Sequence, residues 1–420
     1  MTMQKFKTTQ SLATKMLFRS GSYMNTTDME EIKNRIKELT KKHLEQIIKD
    51  RRYLHQHPEL SFEEFNTSAY IASRLKEMGI PFRDKVAGTG IIATLKGKSE
   101  GKVIALRADM DALPIQEETG LPFASANKGI MHACGHDAHS AALLGVAHIL
   151  NQLKEKWDGT VLLIFQPGEE KFPGGASLLL KEGALDHPRP GLVIGQHVLP
   201  DMPAGHVGFK PGMYMASGDE VYLTVHGQGG HAALPHTLND TILIASHIIV
   251  ALQQIVSRMV PANIPTVLSF GRIEGLGATN IIPEKVEIAG TLRTMNETWR
   301  EKIQELIRKI AEGTATSMGA HCAVDIKHGY PVVHNHEEST KKAISLAKNF
   351  LDEESVKDMD IRMTAEDFGY YTHQFPSVFY RFGVKQRTGK TGALHTPQFN
   401  LNEEAMETAT GLLAWLAVNF

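Results

Sequence analysis

Val161-Leu162-Leu163-Ile164-Phe165 is apolar at every position, whereas a strand with one wet face would alternate. Such a run needs apolar cover on both sides, and helices packed on each face of a parallel sheet supply it. The surrounding pattern agrees. Ile32, Ile36, Leu39, Leu44 and Ile47 repeat at helical spacing, which predicts a helix from Asp28 to about Gln56, stopped where His57 precedes Pro58. A second helix is expected from about Phe65 to Met78, ending at Gly79. Gly90 to Leu95, Lys102 to Arg107 and Leu192 to Gln196 read as strands, with helices to about Leu153 and from Ala176 to Lys181 between them. The last ninety or so residues return to helix, a strand from Ser377 to Val384, and a helix from Glu403 to Phe420. The fold class is therefore α/β, a largely parallel central sheet flanked by helices.

With 420 residues the chain exceeds what one core usually holds, and the pattern changes inside it. Glu220 to His226 alternates, Asp240 to Arg258 has a long apolar face, and Thr266 to Ile273 and Lys285 to Thr294 are strands. Ile303, Leu306, Ile307 and Ile310 then repeat as a helix, and Ala323 to Lys327 closes as a strand. That order, β-α-β-β-α-β, is the ferredoxin-like unit. Residues 217–330 are thus expected to be an inserted domain, with 24–216 and 331–420 forming the other. Residues 1–23 carry Lys5, Lys7, Lys15 and Arg19 among many hydroxyl residues; they are read as a disordered tail, with a transit peptide as the alternative.

Charge and cysteine content exclude several function classes. A net charge of −2 without any Lys/Arg stripe argues against nucleic acid and anionic membrane as partners. Ile242 to Leu252 is apolar but short of the roughly 20 residues of a span, and His247 interrupts it. Cys134 and Cys322 are too few and too far apart for a disulfide framework, which points to a reducing, cytoplasmic setting. Gly88-Thr89-Gly90-Ile91-Ile92-Ala93 spells a dinucleotide-like pattern, but no helix follows it.

Two clusters carry chemistry. Met131-His132-Ala133-Cys134-Gly135-His136-Asp137-Ala138-His139 gathers thiol and imidazole, the donors of borderline-soft divalent metals. An extended Cys134 to His136 would point both donors to one side, and Asp137 would then cap the following helix. The alternative is a buried cysteine beside polar histidines. Gln166-Pro167-Gly168-Glu169-Glu170 sets two acids at the end of a buried strand, where one can hold metal while the other moves a proton; an exposed acidic turn is the alternative. Asp109, Asp111 and His197 are expected just past strand ends, on the same rim, and His395 is a further candidate ligand.

Six segments resemble, in order, the amidohydrolase branch of the metallo-aminoacylase and carboxypeptidase family. They are Arg52-x-Leu54-His55-x-x-Pro58-Glu59-Leu60, Leu106-Arg107-Ala108-Asp109-Met110-Asp111-Ala112-Leu113-Pro114, His132-Ala133-Cys134-Gly135-His136-Asp137, Phe165-Gln166-Pro167-x-Glu169-Glu170, Gly229-Gly230-His231-Ala232-Ala233-x-Pro235-His236 and Leu394-His395. That branch includes hippurate hydrolases, N-acyl-amino-acid amidohydrolases and plant hydrolases of indole-acetyl-amino acids. The resemblance implies two divalent ions (Mn, Zn, Co or Ni) held by Cys134, His136, Glu170, His197 and His395, with Glu169 as general base and Asp109 and Asp111 supporting the ligands. It also implies that Asn280 and Arg293 bind the substrate carboxylate, and that His231 reaches a partner subunit's site in a homodimer formed through the inserted domain. By residues alone, His231 could cap a turn and Arg293 could be a surface charge. The implied activity is hydrolysis of small N-acyl amino acids. A carboxypeptidase or dipeptidase, or a ligand-binding relative without turnover, are the alternatives. Gly168 stands where the family carries alanine, a departure expected to be harmless, and Asn239-Asp240-Thr241 lacks the family's proline.

Overall fold

A computed structural model describes residues 26–420, so the tail expected at 1–23 lies outside the described residues. The larger sheet has eight strands: β1 (Phe82–Val86), β2 (Gly90–Lys96), β3 (Val103–Asp109), β4 (Thr160–Gln166), β5 (Leu192–Pro203), β6 (Val207–Phe209), β7 (Val356–Asp358) and β8 (Ser377–Lys385). They lie in the order β1-β2-β4-β3-β5-β8-β6-β7. The central strands β4, β3, β5 and β8 run parallel, while β1 and β2 form an antiparallel margin. Sequence reading missed β1, whose Phe-Arg-Asp-Lys-Val is charged at its centre, as an exposed edge tolerates.

The all-apolar β4 run divides its residues between two cores. Leu163 and Phe165 join Ile36, Leu143, Leu150 and Trp415 on one face, under the helices Thr26–Gln56, His136–Gln152 and Ala405–Asn419. Leu162 and Ile164 join Leu179, Phe368 and Phe379 on the other. At about 1.5–3 kcal/mol for each large side chain buried, neither face can be left wet.

Residues 218–330 build a separate antiparallel sheet, ordered Thr266–Glu274, Lys285–Thr294, Gly218–His226, His321–Tyr330. Its helices Thr241–Gln254 and Glu297–Ser317 bury Ile244, Ile248, Ile303 and Ile307 against Leu223 and Ile288. The missing proline costs the first helix nothing, because Asp240 caps it by accepting from the Leu243 N–H at 3.0 Å. That helix continues as a π turn to Met259, and the 19-residue stretch Thr241–Met259 is long and apolar enough to pass for a membrane span, which sequence reading had judged too short. One face packs on the small sheet, while Leu243 and Val250 on the other are exposed.

Candidate metal centre and its cleft

The centre begins where β3 ends. Asp109 accepts from His139 Nδ1 at 2.6 Å and from Arg107, and the His139 Nε2 accepts the Val198 N–H at 3.0 Å. Both His139 nitrogens are therefore engaged, which removes it as a ligand. Asp111 takes the Ser61 hydroxyl at 2.6 Å and the Glu170 N–H at 2.9 Å. Its backbone oxygen lies 2.9 Å from His136 Nδ1, which fixes that nitrogen as the donor and leaves Nε2 with a free lone pair.

Two local expectations fail here. Cys134 and His136 are not joined by extended chain but by a turn through Gly135, at φ 81° and 2.8 Å from a Val198 methyl where a Cβ would sit. The helix starts at His136 without a side-chain cap; Asp137 turns away to meet Arg51 at 2.7 Å and His55 at 2.9 Å. His197 also differs from expectation, since it sits inside β5 rather than past its end. Its Nδ1 donates to the Val198 carbonyl at 2.9 Å, and Nε2 points at Cys134 Sγ, 3.3 Å away.

The donors converge all the same. Ligand atoms of Cys134, His136 and His197 lie within 4.8 Å of one another, as do those of Cys134, Glu170 and His395, and those of His136, Glu169 and Glu170. His395 arrives on strained backbone at φ 60°, held by its N–H on the Ala133 carbonyl at 2.9 Å. Glu170 Oε1 lies 3.1 Å from His395 Nε2 and 4.0 Å from His136 Nε2. The buried His136 Nε2 has no hydrogen-bond partner among the described residues, and buried Glu170 Oε1 meets only the His395 imidazole. Sulfur, nitrogen and oxygen donors crowded round one point, with an orphaned imidazole lone pair among them, fit a divalent cation.

Packed this closely, the donors shift one another's protonation. Burial, then Glu366, Glu170 and Asp367, hold the Glu169 carboxyl well above the usual range. Burial and then Glu170 raise the Cys134 thiol, and the Cys134 and Glu170 contacts push His395 up to about 10. Burial, then Arg381, hold His197 well below the ordinary imidazole value, in the neutral form that binds metal. Glu169 is fixed from behind by the Tyr330 hydroxyl, which donates to its carbonyl at 2.5 Å. Gly168 before it is accommodated without strain, whereas at φ 61° an added Cβ would lie 2.3 Å from the Phe62 ring.

The donors open onto a cleft of about 1280 Å³ whose lining includes Glu169 and Arg293. No carboxylate lies within ion-pair distance of the half-buried Arg293 among the described residues, and Gly218 leaves it room, since a Cβ there would meet its Nη1 at 2.0 Å. His231 and Asn280 do not line the cleft. They are exposed neighbours on the ribbon that pairs Gly230–His231 with Ile281–Ile282. His231 Nδ1 accepts the Ala233 N–H at 3.1 Å, so Nε2 carries the proton and can donate outward. Sequence reasoning missed Glu366 and Asp367, whose adjacency in Ala365-Glu366-Asp367-Phe368 repeats the signal of Glu169-Glu170.

Comparison with known proteins follows the same lines. A sequence profile described as peptidase family M20/M25/M40 matches residues 105–419. The N-acetyl-L-cysteine deacetylase of Bacillus subtilis (strain 168) is 42% identical over 373 residues, 88% of this chain and 86% of that protein. An N-acetylcysteine deacetylase of the same organism is 40% identical, covering 89% and 96%. A crystal structure described as a dinuclear metal binding peptidase from the M20 family, also from Bacillus subtilis, superposes with a TM-score of 0.76 at 37% identity, over 90% of this chain and 98% of that one.

Proposed function

The chain belongs to peptidase family M20/M25/M40, and on that premise we propose that it is a metal-dependent amidohydrolase that cleaves N-acyl amino acids to a carboxylic acid and a free amino acid. The observation that carries this reading is the convergence of sulfur, nitrogen and oxygen donors beside Glu169, in a cleft that also holds an unpaired guanidinium.

Cys134, His136, Glu170, His197 and His395 would hold two divalent cations, manganese, zinc, cobalt or nickel, which when bound lower the pKa of water towards neutrality and polarise the acyl carbonyl. Asp111 orients His136, and Asp109 with Arg107 steadies the floor beneath. Glu169 takes a proton from the attacking water as its oxygen adds to the acyl carbon. It returns that proton to the amine as the carbon–nitrogen bond breaks. Arg293 binds the α-carboxylate, its guanidinium supplying two parallel donors, and Asn280 of the partner subunit, carried on the same ribbon as His231, joins it there. His231 of the partner subunit donates from Nε2 to the oxyanion in a homodimer. The exposed apolar face of Thr241–Met259 and the free edge of Thr266–Glu274 support that contact. Two free cysteines support a reducing, cytoplasmic setting.

Glu169→Ala tests the reading: metal content by mass spectrometry should stay at the wild-type level, while turnover of an N-acyl amino acid falls by about 10²–10⁴-fold. Retained turnover in that variant would sink it. A dipeptidase reading shares the centre, and faster cleavage of dipeptides than of N-acyl amino acids would favour it.

A further inference from the structure

The turn that carries Glu169 and Glu170 is pinned by its backbone at three points, and one of the pins has no part in the mechanism above. The Glu170 N–H goes to Asp111 at 2.9 Å, and the Glu169 carbonyl takes the Tyr330 hydroxyl. The third pin is Glu64. Its Oε1 accepts the Gly168 N–H at 2.8 Å, while its Oε2 accepts the Thr89 hydroxyl at 2.6 Å. Among the described residues it is the only side chain that hydrogen-bonds Gly168, and it comes from 104 residues earlier, in the connection between the helices Thr26–Gln56 and Phe65–Glu77.

That connection grips the centre elsewhere too. The Glu59 carbonyl accepts the Ala112 N–H at 2.8 Å, which fastens it to the end of β3. Ser61 donates at 2.6 Å to the same Asp111 oxygen that takes the Glu170 N–H. Phe62, itself on strained backbone at φ 68°, places its ring where a side chain on Gly168 would stand.

Glu64 is a costly pin. It is fully buried, and no cationic side chain lies within ion-pair distance of it among the described residues. Burial, then the charge on Asp111, raise its carboxyl to about 7. A buried acid without a cation weakens a fold rather than strengthening it, so a purely structural role accounts poorly for its presence. What it holds is the residue with the widest backbone freedom in the turn, directly before the proton carrier. Rotation at Gly168 would swing Glu169 away from the attacking water. Proton transfer needs hydrogen-bond reach, and a misplacement of about 1 Å costs up to about 100-fold in rate.

We propose that Glu64 is a positioning residue for hydrolysis: by fixing the Gly168 N–H opposite the Phe62 ring, it sets the reach of the Glu169 carboxylate. This rests on the amidohydrolase reading and deepens it. Glu64 does not line the cleft, so its contribution belongs to kcat and not to substrate binding.

The experiment uses the metal-loaded full-length enzyme and three variants. Glu64→Met keeps the length and removes the acceptor, and should lower kcat by about 10–100-fold with KM within about 2-fold of wild type and metal content unchanged. Glu64→Gln still offers an oxygen to Gly168 and should keep kcat within about 3-fold, with a melting temperature equal to or above that of wild type. Glu64→Asp keeps the charge but withdraws the acceptor by one methylene, and should lose kcat as the methionine variant does; it decides the matter if Glu64→Met fails to fold. Hydrogen exchange read by mass spectrometry supplies a measure independent of turnover: the peptide spanning Gly168 to Glu170 should exchange faster in Glu64→Met and at the wild-type rate in Glu64→Gln. A methionine variant with wild-type kcat overturns the proposal, whatever its melting temperature, and leaves the amidohydrolase reading intact. So does a loss seen in KM or in metal content with kcat unchanged, or a kcat loss as large in Glu64→Gln as in Glu64→Met. A wild type inactive on every amide, with exchange at the turn still quickened by Glu64→Met alone, would fault the amidohydrolase reading and not the grip on Gly168.

Discussion

Arg51 and Arg381 are equally deep, yet Arg51 meets Asp137 and Glu403 while Arg381 meets a phenol and a thioether. Arg107, against Asp109, Glu366 and Asp367, and Arg300, against Asp219, follow the first pattern. Removing one partner from such a pair leaves a bare charge in a medium that solvates it poorly, so the paired arginines serve the fold. A guanidinium that the fold leaves without a carboxylate is instead available to whatever enters the cleft. Arg293, Arg362 and Arg381 are of this second kind.

The sharpest way to break that division is on the paired side. Asp137→Ala should destabilise the protein by roughly 3–5 kcal/mol, read from denaturant midpoints, because Arg51 and His55 lose their shared acceptor. A neutral result would mean that pairing is not what keeps these arginines. Acidity sharpens the same point. Burial opposes ionisation of Asp137, but Arg51 and His55 hold its carboxyl far below the usual range. The folded value is depressed, so its contribution is complete above the unfolded value of about 3.9 and drains away as pH falls below it. The wild type should therefore lose more stability than Asp137→Ala between pH 5 and the acid limit of folding, a window set by that unfolded value of about 3.9.

On the unpaired side the effects should fall on catalysis. Arg293→Met should lower kcat/KM for N-acyl amino acids by about 10–100-fold, while its melting temperature stays within about 2 °C of wild type or rises, since no partner is orphaned. A large loss of stability would place Arg293 with the structural set. The smallest effect belongs at the surface. Lys156→Ala, which removes an exposed pair with Glu31 at 2.9 Å, should cost under about 1 kcal/mol.

How much of this was legible depends on the range of the interaction. The run Val161 to Phe165 announced a strand with two dry faces because alternation is a local property, and the cores on either side of β4 divide its residues accordingly. Cys134 and His197 are 63 residues apart, and no pattern within either segment brings them together; only parallel pairing of strands distant in sequence does. The turn at Gly135 misled the reading of Asp137, since both an N-cap and a buried ion pair ask for a short acid at that point. Arg362 and Arg381 gave no signal at all. Each stands among mixed neighbours, and what distinguishes them is the lack of an acid nearby in space, which a sequence does not record.

Tyr330 closes the strand on which the chain leaves the smaller sheet, and its hydroxyl grips the carbonyl of Glu169. That bond makes the two layers one mechanical unit at the point of reaction. If the smaller layer rocks as substrate enters or product leaves, it must either part from Glu169 or carry it along. The position of the proton carrier is thereby geared to the opening of the cleft.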